Sequence, residues 1–136
     1  MSFLVDTDLL SFLERKRVPP KLVPWLARHD GDLFVSVVSF AELEYGLRQA
    51  PSTHRPGLSA WLKETREKFS PVTEPLTEPV LVRWKELLAD LKGRNRTMTC
   101  EDSLIAATAL HAGHTLATHN TRHFTPAGVA LVDPLS

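Results

Sequence analysis

Short apolar runs alternate with longer amphipathic stretches along the chain. Three runs, at residues 3–5, 33–38 and 115–118, are rich in apolar or β-branched side chains and too short to form buried helices. We interpret them as strands buried inside the fold, and the run at 129–132 as a further strand. The first run ends abruptly at Asp6, so an acidic side chain directly follows a predicted strand.

The stretches between the strands carry apolar residues at helical spacing. The pattern predicts six helices, at about residues 7–16, 20–30, 40–47, 58–69, 81–93 and 100–112. Ser39 and Thr99 are the predicted N-caps of the third and sixth helices, and the apolar stripe of the fifth is Leu81, Trp84, Leu88 and Leu91. Residues 73–79 are expected to form a loop that leads into the fifth helix. The sixth helix is apolar on almost every face and should lie in the core.

Strands that alternate with helices predict an α/β fold with a mostly parallel sheet. We expect one domain over residues 1–136, with a central sheet of four to five short strands and helices on both faces. In such sheets, functional sites form at the carboxyl ends of the strands, where the following helices begin.

Composition narrows the possible functions. The 136 residues are 43% hydrophobic and 24% charged, and 16 Lys and Arg balance 16 Asp and Glu. This balance excludes a protein that coats nucleic acid or membranes through overall positive charge, but it allows an RNA enzyme with a local basic edge. Cys100 is the single cysteine, so an intramolecular disulfide and a cysteine-rich zinc site are excluded. No apolar stretch is long enough to span a membrane and no signal peptide is evident, so we expect a cytoplasmic protein.

Four polar residues are expected at the carboxyl edge of the sheet. Asp6 follows the first strand, Glu42 and Asp102 lie in the predicted first turns of two helices, and Asn120 follows the third strand. Carboxylates that share such an edge repel one another and require a positive charge among them. A hard divalent cation with oxygen ligands, Mg²⁺ or Mn²⁺, fits that requirement.

Helix capping explains each of these acids when it is considered alone. Ser39 with Glu42 and Thr99 with Asp102 have the spacing of a capping box, and Asp6 is in position to cap the first helix. Acidic residues also favour helix N-termini because of the helix dipole. The convergence of all of them on one sheet edge favours a metal site.

Four segments resemble, in order along the chain, the motifs of PIN-domain ribonucleases. They are residues 3–8 with the first acid, 39–47 with the second, 102–109 with the third, and the closing strand and fourth motif at 115–124. The third segment is the most specific. The resemblance spans nearly the whole chain, and at this length it points to the VapC-type toxins of toxin–antitoxin pairs.

The resemblance implies an Mg²⁺- or Mn²⁺-dependent endoribonuclease that hydrolyses RNA with metal-activated water and is neutralised by a VapB-type antitoxin. Asp6, Glu42 and Asp102 would bind the metal and, together with Asn120, form the catalytic set. Asn120 stands where many relatives carry a fourth acid, which implies weaker binding of a second metal. His119 and His123 stand where such toxins often have Arg and Asp.

Further residues are candidates for supporting roles. The Thr7 hydroxyl is placed to orient a carboxylate, His119 to neutralise a phosphate, and Asp8 is expected to be solvated. The candidates for RNA contact are Lys92, Arg94, Arg96 and Arg122. An apolar stripe with Leu58, Trp61, Leu62 and Phe69 is expected to be covered in a homodimer or by the antitoxin.

Three alternatives remain at this stage. Asn120 suggests a PIN-like binding module with a degraded site, and Asp6 with Asp8 imitates the start of aspartate-nucleophile phosphatases. The phosphatase interpretation lacks the Gly-Thr-like continuation, because Leu9 and Leu10 follow instead. A zinc site through His111 and His114 would lack a third fixed ligand.

Overall fold

A five-stranded sheet forms the centre of the computed structural model, which describes residues 1–136. Every pairing is parallel, and the strand order is β3-β2-β1-β4-β5. The strands are β1 (Phe3–Val5), β2 (Leu33–Ser36), β3 (Thr73–Glu74), β4 (Thr115–Ala117) and β5 (Leu131–Val132). The α/β fold class with a parallel sheet is therefore confirmed.

Seven helices surround the sheet. They are α1 (Thr7–Glu14), α2 (Leu22–Arg28), α3 (Val37–Gln49), α4 (Arg55–Phe69), α5 (Glu78–Gly93), α6 (Cys100–Ala112) and α7 (Thr121–Phe124). None of them is long and apolar enough to cross a membrane.

The two faces of the sheet carry separate apolar layers. Phe3 and Val5 of β1 point into a cluster that includes Leu9, Leu10 and Trp25, whereas Leu4 packs in a second cluster with α5 and α6. This alternation follows the period of two of a β-strand. Because both faces are covered, the site can form only at the ends of the strands.

Helix α6 behaves as its sequence predicts. The Thr99 hydroxyl accepts a hydrogen bond from the Asp102 amide (3.1 Å), and Gly113 ends the helix in the left-handed conformation at φ 74°. Ile105, Ala106 and Ala107 are fully buried, which confirms the position of this helix in the core.

The predicted start of α3 is wrong by three residues. Ser36 is the N-cap, since its hydroxyl accepts a hydrogen bond from the Val38 amide (3.0 Å), and β2 ends at this residue. Both Ser36 and Ser39 are able to cap a helix, but the cap at Ser36 allows Val38 and Phe40 to be buried. Glu42 therefore lies in the second turn of α3, and the predicted capping box between Ser39 and Glu42 is wrong.

Two local predictions for the middle of the chain are also wrong. The short strand β3 lies where a loop was expected, because its two residues are not apolar and form a strand only by pairing with Val35 and Ser36. In α5 the buried positions are Val80, Leu87 and Leu91. Leu81 is 38% exposed and Leu88 is half-buried, so the predicted stripe is displaced by one residue at these two positions, whereas Leu91 is buried as predicted.

The apolar stripe of α4 is occupied inside the chain. Leu62 and Phe69 are only 3% and 5% exposed and belong to the same core cluster as β1 and β2. Trp61 also packs against this cluster. The expectation that this stripe is covered by a partner is wrong for these residues, because the domain covers them itself.

Candidate active site

Asp6 is a buried acid at the carboxyl end of β1. Its side chain accepts hydrogen bonds from the Thr7 amide at Oδ1 (2.8 Å) and from the Thr118 hydroxyl at Oδ2 (2.7 Å). Burial, and secondly the negative charge of Asp8, raise the pKa of Asp6 to about 8. Asp6 caps α1 through Oδ1, and Thr118 holds the second oxygen at the sheet edge. Capping is thus only part of its role.

Glu42 reaches the same edge from α3. Its Oε1 atom lies 2.8 Å from the Thr7 hydroxyl, which is also 2.8 Å from the Ser39 hydroxyl. Burial raises the pKa of Glu42, the hydrogen bond from Thr7 opposes that rise, and the charges of Asp102 and Glu101 add to it. Thr7 therefore orients a carboxylate, as its position in the sequence suggested.

Asp102 projects from the first turn of α6. Burial is the largest cause of its raised pKa; the Thr99 hydrogen bond and the charge of His123 oppose the rise. The His123 Nδ1 atom lies 3.7 Å from Asp102 Oδ2. The Asp102 carboxylate does not accept a hydrogen bond from the Thr99 backbone amide, so the capping box is only half formed at this helix.

Asp8 joins the site, although the sequence indicated a solvated acid. Its Oδ2 atom accepts hydrogen bonds from the His119 amide and from the Asn120 side-chain amide, both at 3.0 Å. Asn120 thus belongs to the cluster through Asp8. The signal was available, because Asp8 lies two residues after Asp6 and Thr118 directly follows β4 at the same sheet edge.

The histidine candidates lie elsewhere. His119 Nδ1 is 3.1 Å from an Asp133 carboxylate oxygen, so its side chain contacts that acid, and its role near a phosphate stays a prediction. His114 is buried and bonds Ser2 (2.6 Å) and Glu74 (3.1 Å), which connects the N-terminus to β3. These bonds give His114 a structural role and remove the basis of the zinc interpretation.

His123 is the one basic side chain that contacts the acid cluster. No Lys or Arg forms an ion pair with Asp6, Asp8, Glu42 or Asp102. The structure also shows no three His, Cys, Asp or Glu side chains already arranged to hold a metal ion. The donor set nevertheless fits a hard divalent cation, because it offers only oxygens and Mg²⁺ retains several water ligands instead of filling a protein cage.

The four basic candidates, Lys92, Arg94, Arg96 and Arg122, lie in three different surroundings. Arg94 is occupied, since its guanidinium bonds the Asp90 carboxylate (2.7 Å) and the Pro126 carbonyl (2.5 Å). Arg96 and Arg122 line an open cavity of about 610 Å³ that reaches Asp102 and His123. Lys92 is exposed at the end of α5 and does not line this cavity. RNA contact through Arg94 is therefore not supported.

Comparison with known proteins places the chain in a family. Residues 3–128 match the family model described as "PIN domain". The chain is similar to "Ribonuclease VapC10" of Mycobacterium tuberculosis, at 35% identity over 123 residues covering 89% of this chain and 84% of the relative. It is also similar to "Toxin FitB" of Neisseria gonorrhoeae, at 28% identity over 137 residues and 96% of both chains.

The backbone of this chain is also similar to that of a solved structure from Neisseria gonorrhoeae. The crystal structure of FitAcB from Neisseria gonorrhoeae superposes with a TM-score of 0.88 and 27% sequence identity, covering 97% of each chain. This chain is thus similar to these relatives over nearly its whole length. The similarity accompanies the four motifs, the parallel sheet and the acid cluster at the carboxyl edge of the sheet. The chain belongs to the PIN-domain family and is of the VapC type.

Proposed function

We propose that this protein is an endoribonuclease toxin that hydrolyses RNA phosphodiester bonds with the help of Mg²⁺ or Mn²⁺. The observation that carries the proposal is a group of carboxyls with raised pKa values at one sheet edge, with no Lys or Arg to neutralise them. Such a cluster is costly for the fold unless a cation binds there. The ribonuclease relatives support RNA as the substrate.

The proposed ligands of the cation are Asp6, Glu42 and Asp102. When bound, the cation would lower the pKa of a water molecule and stabilise the charge that develops on the phosphate. The burial of Asp6 excludes bulk solvent from one side of the site, and Thr118 fixes the orientation of its carboxylate. Asn120 and Thr118 both bond Asp8, so this second acid is held beside Asp6.

The direct test is cleavage of RNA by the purified protein in three conditions. Activity should be present with Mg²⁺ or Mn²⁺, absent in EDTA, and restored when the cation is added in excess. A protein that binds RNA but gives neither cleavage nor thermal stabilisation by Mn²⁺ would instead be a PIN-like binding module. The phosphatase alternative has no support, because it requires a Lys near the acids and none pairs with them.

The relatives also suggest how the protein is controlled. We propose that it is neutralised by a VapB-type antitoxin, because the similar FitB is named a toxin and similar solved structures are VapBC complexes. We also propose that it acts in the cytoplasm on RNA and forms a homodimer. The dimer would use a surface other than the stripe of Leu62 and Phe69, which the core covers. Light scattering should give twice the monomer mass, and a strict monomer at high micromolar concentration would contradict the dimer.

Replacement of Thr7 tests the orientation of Glu42. Thr7→Val removes the hydroxyl that bonds Glu42 and Ser39, and we expect a loss of about tenfold in kcat, in the range for losing a group that orients a metal ligand. Thr7→Ser keeps the hydroxyl and should retain most of the activity. The measurement is the rate of RNA cleavage at saturating Mg²⁺. If Thr7→Val cleaves RNA as fast as Thr7→Ser and the wild-type protein, Thr7 has no such role.

Replacement of Asn120 tests its position beside the cation. In Asn120→Asp, the amide that donates to Asp8 is replaced by a second carboxylate, so the metal-free protein should become less stable. Mn²⁺ should bind more tightly, because the site gains a negative charge. Calorimetric titration measures the affinity, with Gln49→Glu at the exposed end of α3 as the charge-matched control. Unchanged Mn²⁺ affinity would remove Asn120 from the site.

A further inference from the structure

A cavity opens directly beside the acid cluster, between the loop that follows α5 and helix α7. Its lining includes Arg96 and Thr97 on one side, Arg122 and His123 on the other, and Asp102 at the boundary with the acids. Its volume of about 610 Å³ lies within the range of cavities that bind small ligands. The cavity and the acid cluster therefore share one wall.

Two guanidinium groups in this cavity have no partner in the protein. Arg96 and Arg122 donate no side-chain hydrogen bond and form no ion pair, whereas Arg66 pairs with Glu44 and Arg94 pairs with Asp90. A guanidinium presents a planar fork of N–H donors that matches a phosphate. Two unpaired forks at one cavity offer the planar donor geometry that suits an anion.

The walls of the cavity are fixed by a third arginine. Arg94 bonds Asp90 in the last turn of α5 and the Pro126 carbonyl in the turn after α7, so it joins the two segments that form the cavity. Asn95, which follows it, has a positive φ of 55° and turns the chain toward Arg96. Arg94 therefore holds the two walls of the cavity together.

We propose that this cavity binds a backbone phosphate of the RNA strand next to the bond that is cut. Arg96 and Arg122 are the phosphate ligands, and Arg94 is a positioning residue. The proposal rests on the proposed function, because a strand whose phosphate lies at the acid cluster must place a neighbouring phosphate close by. RNA supplies phosphates at regular intervals on both sides of the cut bond, which an isolated anion does not.

The test is binding of a fluorescently labelled single-stranded RNA oligonucleotide to the full chain. Fluorescence anisotropy in Mg²⁺ measures the affinity. An Asp6→Asn background prevents cleavage during the measurement. Arg96→Gln and Arg122→Gln should each weaken binding about tenfold, and each should reduce the slope of log affinity against log salt by about 0.7. Arg83→Gln, an exposed arginine of α5 outside the cavity, is the charge-matched control and should leave both quantities unchanged.

The outcomes separate this proposal from the proposed function. If the wild-type protein cleaves RNA but Arg96→Gln and Arg122→Gln both bind RNA with unchanged affinity and salt slope, the phosphate site is wrong and the nuclease stands. If the wild-type protein does not cleave RNA although the arginine variants bind it weakly, the nuclease is wrong and the phosphate site stands. Competition by a polyglutamate peptide as effective as that by unlabelled RNA would overturn the proposal, because the cavity would then recognise acidic protein.

Discussion

Asp6→Asn is expected to abolish RNA cleavage while the protein remains folded. The variant removes one of three proposed ligands of a cation that supplies several kcal/mol of transition-state stabilisation, so the rate should fall by about 10³-fold or more. The fold should persist because Asn caps a helix as well as Asp does. The substitution also removes a carboxyl that is costly to ionise at this position, since Asp6 is only 5% exposed.

Two controls keep this result interpretable. Asp32→Asn changes the same charge at an exposed residue outside the site and should leave the rate unchanged. Asp102→Asn should repeat the loss of activity at the opposite side of the cluster. The measurements are the cleavage rate and the thermal unfolding midpoint. If Asp6→Asn cleaves RNA normally, the proposed catalytic role of Asp6 is wrong. If it unfolds the protein, the expectation that Asn replaces Asp6 as the cap is wrong, and Asp102→Asn then tests the catalytic role of the acids.

The metal-free protein is expected to lose stability as the pH rises from about 4 to about 8. Asp6 has a pKa of about 8 in the folded protein against an ordinary value of 3.8, so the folded state binds more protons throughout this interval. The free energy of unfolding must then fall with increasing pH, by several kcal/mol for a shift of this size. The raised pKa values of Glu42 and Asp102 act in the same direction.

Thermal melts in EDTA across this range measure the effect. Asp6→Asn should reduce the slope, leaving the part that comes from Glu42 and Asp102. Addition of Mn²⁺ should raise the unfolding midpoint more at pH 8 than at pH 5, because a cation binds the ionised carboxylates. A midpoint in EDTA that stays level or rises between pH 4 and 8 would contradict the burial of an unneutralised carboxyl.

The elements that were predicted correctly have their signals within a few residues. Helix α6 begins after Thr99 and ends at Gly113, because both ends are set by capping groups in the local sequence. The start of α3 was misplaced because two serines are able to cap, and only the packing of Val38 and Phe40 decides between them. Strand β3 has no local signal, since it exists only through its pairing with β2.

The site residues also divide into those with a signal in the sequence and those whose position depends on the folded chain. Asp6, Glu42 and Asp102 were predicted to meet because parallel strands end at one edge of the sheet. Their side chains do lie in one cluster there. The involvement of Asp8 depends on bonds to His119 and Asn120, more than a hundred residues away in the chain. Charge alone did not distinguish Arg94 from its neighbours, because its contact with Pro126 is made only when the chain has folded.

The central claim is that water, with the help of a bound cation, hydrolyses the phosphodiester at the acid cluster. Mapping the ends of cleaved RNA, with and without EDTA, tests it most directly. Attack by water on phosphorus with departure of the 3′ oxygen predicts fragments with 5′-phosphate and 3′-hydroxyl ends, formed only when Mg²⁺ or Mn²⁺ is present. Fragments with 2′,3′-cyclic phosphate and 5′-hydroxyl ends, formed equally well in EDTA, would show that the RNA 2′-hydroxyl is the nucleophile and would contradict the account.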